Sequence, residues 1–429
     1  MAIQNIVRTI VPMALSYIGS GGSLIFSSIA QLVTFAVLAR YLGADEFALY
    51  VTITAFTNVA VQLCGLGTQE PLTRRVAQNP ADHARMMGHS LIMTAGTGAV
   101  LLVVGLVALP LLVPVSPDWF VNIGAIALLL ISTVLILRFI SLATAAYIGR
   151  SAFAVANTLE VAFGLLRMAA ALVGCLAFGV ETVAEWAVWF FAAHVLAGLA
   201  AAWLIWRLGR PRFELVRDEV RTGILFSTQF VLRAVRQNTD VVVLGLFTSP
   251  EIVASYGVAR RVLDSSFLSI EALNRLIYPG SAVLLMSGFH GAARRMLKVF
   301  LAGGSIAIAV SLVVYLLAPL MPLLFGKEYT SLVAFTQVIC WVLLPVALAA
   351  IALEVFGAAG RQEVRAAIYN GQNIVATALG GAAAALAGAA GAFGSLYVVE
   401  ITGALVATTV LYRFVAADRD RALTFAPAE

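Results

Sequence analysis

The chain has 429 residues, of which 61% are hydrophobic and only 11% charged, with a formal net charge of +5. No single core of a soluble protein this size hides so much apolar surface, so the composition excludes a soluble globular protein and indicates an all-α polytopic membrane protein. The basic excess follows the membrane topology and is not a nucleic-acid footprint, so no nucleic-acid partner is expected.

Mostly apolar segments of roughly 20 residues or more, long enough for a bilayer core of about 30 Å, recur from end to end. Twelve spans are predicted: 13–40, 47–69, 89–113, 119–147, 152–178, 183–206, 223–247, 251–286, 296–318, 331–356, 366–388 and 393–414. The first has no convincing cleavage site and is read as an uncleaved span. Six spans fall in each half, giving an expected amino-terminal lobe over 1–210 and a carboxy-terminal lobe over 211–429. The connections are too short to hold a soluble catalytic domain.

With the amino terminus placed in the cytoplasm, 18 of the 27 Lys and Arg residues fall in the even-numbered loops and the two tails. The other side carries only Arg40 and Lys327, beside acids such as Asp45, Glu46, Asp118, Glu251 and Glu328. This asymmetry obeys the positive-inside rule and predicts a multi-pass protein of a bacterial plasma (inner) membrane with both termini cytoplasmic. Cys64, Cys175 and Cys340 all lie in predicted spans as small apolar side chains, so no disulfide framework exists. His83, His89, His194 and His290 have no metal-ligand spacing. Gly326-Lys327 lacks the upstream glycine and the Ser or Thr of a phosphate loop, so no nucleotide hydrolysis and no cofactor is expected.

The halves echo one another. "ARYLGADEFALY" at 39–50 is matched by "LGLFTSPEIVASY" at 244–256, with Glu46 and Glu251 offset by 205. Pro110 and Pro319 open similar stretches at an offset of 209, and Gly149-Arg150 is matched by Gly360-Arg361 at 211. Three weak echoes near one offset indicate an internal repeat, parallel because each half has an even number of spans.

The segments "ARYLGADEFALY", "GLGTQEPLTRRVA" at 65–77, "NTDVVVLGLFTSPEIVASYGVARRV" at 238–262 and "LLFGKEY" at 323–329 resemble the polysaccharide and O-antigen flippases of the multidrug, oligosaccharidyl-lipid and polysaccharide exporter superfamily. The resemblance covers nearly the whole chain, although Ala48 and Leu49 stand before Tyr50 where the family commonly has glycine. It implies twelve helices in two six-helix lobes around a central cavity. It further implies alternating-access transfer of an undecaprenyl-diphosphate-linked oligosaccharide, with membrane lipids around it and a polysaccharide polymerase or glycosyltransferases as partners.

The charges inside the spans carry the site reading. A charged side chain at the bilayer centre costs about 2.5 to 3.5 kcal/mol on insertion scales, so embedded charges are expected to face a wet cavity or a partner. In span seven, Arg233, Arg236 and Asp240 sit at i, i+3 and i+7 and share one helix face. Span eight carries Arg260, Asp264, Glu271 and Arg275; span five carries Asn157, Glu160, Gly164 and Arg167; and Arg138 has no acid within its span. Arginine stays charged and grips phosphate with a planar fork, which suits a diphosphate headgroup. The candidate substrate contacts are therefore Arg233, Arg236, Asp240, Arg138, Arg167, Arg260 and Arg275, with internal ion pairs such as Arg260–Asp264 as the bland alternative for several of them. Asp240, Glu271 and Glu160 are candidates for ion coupling. A multidrug and cation antiporter would want excess carboxylates and aromatics instead, and a glycan polymerase or ligase would want a large outer loop with catalytic acids or histidines.

The charge asymmetry also predicts that the loops at 42–47, 180–183, 248–251 and 388–392 face outward. In a chain stripped of its three cysteines, Ser249→Cys is expected to react with an impermeant maleimide added to intact cells. Labelling only after the inner face is exposed would invert the map.

Overall fold

The computed structural model describes the backbone of residues 2–113, 115–285 and 289–424, and the side chains of residues 22, 26–113, 115–271, 273, 293–294 and 296–417. Among them every regular element is helical: α1 (Ala2–Leu63), α2 (Gln69–Gln78), α3 (His83–Leu112), α4 (Trp119–Leu130), α5 (Leu137–Gly149), α6 (Phe153–Phe178), α7 (Val183–Leu208), α8 (Arg217–Phe247), α9 (Pro250–Leu285), α10 (Phe289–Leu317), α11 (Met321–Phe325), α12 (Leu332–Ile339), α13 (Leu343–Ala358) and α14 (Gln362–Thr424). Helices satisfy every internal backbone group, which hydrocarbon demands.

Among the described residues, eight helices are long and apolar enough to cross a bilayer. α1 is broken at Gly43 (φ 72°) and α14 at Ala387 and Gly388, so each joins two of the predicted spans through a tight break rather than a loop. Gly388 adopts φ 56°, a backbone region that side chains disfavour. α8 and α9, with 31 and 36 residues, are also long enough, but their charges keep them out of the apolar set. They hold predicted spans seven and eight. The fold is all-α and polytopic, as the composition requires.

The chain divides into two compact units: Met1–Leu246 with Leu324–Glu328, and Phe247–Leu323 with Tyr329–Glu429. In the first unit an aromatic core joins Phe35, Phe47, Tyr50, Trp186 and Phe190, and a second cluster gathers Leu72, Met87, Leu142, Ala146 and Ala201. In the second unit Tyr256 packs on Phe393, and Phe356 on Phe414.

Local geometry in each unit explains the sequence echoes. Tyr50 lies 6.4 Å from Trp186 at the start of α7, and Tyr256 lies 5.2 Å from Phe393 just past the break in α14. The acids before these tyrosines terminate other elements. Glu46 accepts the Val183 N–H at 2.7 Å, supplementing the Thr182–Glu185 capping box of α7, whereas Glu251 accepts the Ser331 N–H at 2.8 Å ahead of α12.

Helices α5 and α13 end alike. The Ala152 N–H reaches back to the Tyr147 carbonyl, the Arg361 N–H to the Phe356 carbonyl, and the left-handed residues between are Ser151 (φ 57°) and Gly360 (φ 73°). The structural counterpart of Gly360 is therefore Ser151, not Gly149, which moves this echo from an offset of 211 to 209, the offset of the two prolines.

The linker between α7 and α8 lies on the start of α3. The Arg212 N–H donates to the Ala84 carbonyl at 2.7 Å, and a Cβ on Gly88 would collide with the Arg212 carbonyl. Gly88→Val is expected to destabilise the protein by about 1–3 kcal/mol through overpacking. Gly96, whose Cβ would meet nothing within 4 Å, is expected to accept alanine with no loss. Melting temperatures of the two purified variants check the contrast.

Candidate functional site

α8 runs unbroken from Arg217 to Phe247, so the spacing of Arg233, Arg236 and Asp240 does place them on one helical face. One face of α8 is buried, with Gly223, Ser227, Ala234, Val241 and Leu244 on it. That face packs within the first unit. Gly223 and Ser227 meet the backbone of Gly67, Gly245 abuts Thr52, and the Asn58 amide donates to the Asn238 side chain at 3.4 Å. Glycine at 223 and 245 is what permits this approach, because a Cβ at either would lie under 3 Å from its neighbour. Arg233 is exposed, Arg236 half-buried, and Asp240 buried, with one carboxylate oxygen accepting the Val241 N–H at 2.9 Å. The charged stripe thus runs along the edge of the packed face.

The amino-terminal end of α8 is held by a compact ionic anchor. The Glu219 side chain is only 2% exposed and takes Arg74 at 3.0 Å and Arg75 at 2.6 Å. Val216 donates its N–H to His89 Nδ1 at 3.2 Å, completing the seat of the linker. Sequence reasoning counted Arg74 and Arg75 only as topology charges and missed this anchor. The available signal was an acid inside the basic run "RPRFELVRDEVR".

The other predicted site residues lie on further helices of the two units. Arg138, 8% exposed, donates from its terminal nitrogens to the Gln69 side chain at 3.1 Å and to the Val61 carbonyl. It follows a π-helical stretch, Ile131–Ile136, whose wider turn shifts the helix register just before it. Arg167 stacks 4.5 Å above the Phe163 ring, and Phe163 meets His194 edge to face, so an aromatic shelf supports that cation. Glu160 is half-buried one turn before Phe163. On α9, Arg260 and Glu271 are half-buried and Asp264 is exposed, while Arg275 lies outside the described side chains. Two further embedded acids have internal partners: Glu354 pairs with Arg365 at 3.2 Å, and Glu400 accepts from Gln372 at 3.0 Å. A cavity of about 650 Å³ between α5, α6 and α7, lined by Val155, Ala162, Trp203, Leu204 and Arg207 among others, contains none of the predicted site residues. Among the described residues no His, Cys, Asp and Glu cluster forms a metal site.

The family model of polysaccharide biosynthesis proteins matches residues 17–279, more than half of the chain. The chain belongs to that family. No curated protein matches it. Among solved structures, a multidrug resistance MATE family transporter of the MOP superfamily in its inward-facing conformation matches with a TM-score of 0.77 at 16% identity, over 92% of this chain and 96% of that one. An outward-facing MATE family transporter of the same superfamily gives 0.61 at 15% identity over 94% and 96%. The Vibrio cholerae MATE transporter VcmN in its bent form gives 0.61 at 14% identity over 95% and 98%. Identities this low establish the shared fold. Family and fold together mark a multi-pass membrane transporter, not an enzyme.

The family segment "GLGTQEPLTRRVA" now has a physical reading in this chain. Gly65 and Gly67 take positive φ, Gly67 admits α8, Gln69 holds Arg138, and Arg74 and Arg75 hold Glu219. Replacing Glu219 by Gln removes the charge that both arginines surround, and breaking a buried pair from one side is strongly destabilising. Glu219→Gln is expected to melt earlier and to be cut faster by trypsin within residues 207–217. Arg85→Ala, which loses only the pair to Glu214 with both side chains more than half exposed, is expected to change stability by no more than about 1 kcal/mol.

Proposed function

We propose that this protein moves an undecaprenyl-diphosphate-linked oligosaccharide across a bacterial plasma membrane by alternating access. On this reading Arg233 and Arg236 bind the diphosphate, and Asp240 orients them or partly neutralises them. The observation that carries it is the charged edge of α8: two guanidinium groups and a carboxylate on one face of a helix whose packed face carries Gly223, Ser227 and Ala234. Membership of the polysaccharide biosynthesis family supports a glycan cargo. Two planar forks spaced by one helical turn can each take two oxygens of adjacent phosphates, and neither loses its charge at any physiological pH. Gln237, Asn238 and Thr239 continue the polar character of the stretch beside them.

Arg167, on its aromatic shelf, and Arg260 and Arg275 of α9 are proposed as further contacts for the same headgroup. Asp240, Glu160 and Glu271 are the carboxylates proposed to carry a coupling ion. A polysaccharide polymerase or glycosyltransferases would act on the same lipid before or after transfer, and the termini are assigned to the cytoplasm.

A substrate clamp and a structural ion pair respond differently to charge reversal. Exchange of both partners, Arg236→Asp with Asp240→Arg, restores a bridge but still repels phosphate. Arg233→Ala and Arg236→Ala are each expected to insert normally and to lower glycan export in a flippase-deficient strain by about tenfold or more, the loss of a charge-assisted hydrogen bond worth about 1.5–3 kcal/mol. Lysine at either position is expected to rescue partially, as a point charge without the fork. Export at the wild-type level by the charge-exchanged protein, at equal membrane abundance, would remove the clamp and leave these residues as scaffolding.

A further inference from the structure

The turn between α1 and α2 encloses polar groups that the proposed transport does not use. Arg138 is a permanently charged, buried side chain, and among the described residues no carboxylate accompanies it: its hydrogen-bond partners are the Gln69 side chain and the Val61 carbonyl. Its Nε has no hydrogen-bond partner. Two more donors beside it are in the same state. Thr68 and Thr94, 2% and 5% exposed, leave their hydroxyls unpartnered.

That is unusual within this chain. Ser90, Thr97, Ser132 and Thr133 all donate to the carbonyl four residues earlier, the usual relief for a hydroxyl in a helix. Thr94 does not, and Thr68, at the start of α2, makes no capping bond.

The three groups converge. Around the bare Cα of Gly65, a Cβ would lie 2.9 Å from Thr94 Oγ1, 3.3 Å from Thr68 Oγ1 and 3.9 Å from Arg138 Cδ, the atom bonded to the unpartnered Nε. Gly65 itself takes φ +76°, and its N–H is already committed to Thr97 at 2.7 Å. Two unpartnered hydroxyls, an unpartnered guanidinium N–H and one positive charge with no carboxylate beside it therefore meet in one place.

A buried donor left unsatisfied is destabilising, and a buried charge without a counter-ion more so. One water molecule accepts about two hydrogen bonds and brings no charge. A monatomic anion accepts all three bonds and neutralises the guanidinium. We infer that Arg138, Thr68 and Thr94 form an internal binding site for a small inorganic anion of the halide type, separate from the proposed headgroup contacts on α8. The ion ties the turn at 64–68 to α3 and α5, and through Gly67 it sets the surface on which α8 packs.

The test uses the full purified chain in detergent. Chloride and gluconate are compared at constant ionic strength, with melting followed as chloride is titrated. Chloride is expected to raise the melting temperature saturably, by about 2 °C or more, since a ligand that binds only the folded state stabilises by mass action. Thr68→Val with Thr94→Val keeps the side-chain shape while removing two donors, and is expected to melt cooperatively in gluconate but to lose the chloride response. Crystals of the wild-type protein soaked in bromide provide a readout that does not depend on the variant folding, with an anomalous peak expected within hydrogen-bond reach of Thr68 and Thr94. Equal melting of the wild type in chloride and gluconate, an undiminished chloride shift in the double variant, or the absence of a bromide peak at this position would each overturn the site.

Discussion

The controlling constraint is that hydrocarbon offers no hydrogen bonds, so every polar group within it must find its partner in the protein. Backbone groups find theirs in helices, and helical Ser and Thr hydroxyls such as Thr34, Thr52 and Thr144 turn back onto the preceding turn. The chain leaves helical geometry only briefly. Several breaks are closed by a specific device: Asp118 accepting two N–H groups at the start of α4, Glu46 ahead of α7, Glu251 ahead of α12, and left-handed residues after α5, α6 and α13. The family segments that look conserved in kind across the two halves are largely these devices, which is why they repeat.

The same constraint sorts the charged residues. Some are matched inside one unit and serve the scaffold, as Glu219 does between Arg74 and Arg75, and Glu354 beside Arg365. Others lie on an edge of a helix where packing ends, as along α8. A transporter needs both classes. The first fixes where helices cross, and in the proposed function the second is where a headgroup is received. Gly223 and Gly245 link the two, because without side chains there α8 seats closely enough on the first unit to leave Arg233 at the edge of the contact.

Family membership and fold supply different parts of the functional conclusion. The polysaccharide biosynthesis family points to glycan chemistry, whereas the multidrug MATE transporters share the fold at 14–16% identity and contribute the architecture. The proposal of an anionic headgroup over an organic cation rests on the arginines of this chain rather than on its fold.

Most of the fold was legible from the sequence, because a requirement for about 20 apolar residues per crossing is local and additive. The helices, the connections near 42–47, 180–183 and 388–392, and the shared face of Arg233, Arg236 and Asp240 all follow from composition and spacing. What sequence spacing could not supply was which distant residues meet. Glu219 and Arg74 are 145 positions apart, Gly88 touches a linker more than a hundred residues later, and the counterpart of Gly360 proved to be Ser151 because hydrogen bonding, not residue identity, defines a helix end. Arg138 shows the division most sharply. Its sequence context said only that it lacked an acid within its span. Only tertiary packing decided that it lies buried beside Gln69 and Val61, with two unpartnered hydroxyls at its side, because burial and partnership depend on contacts that the chain makes after it folds.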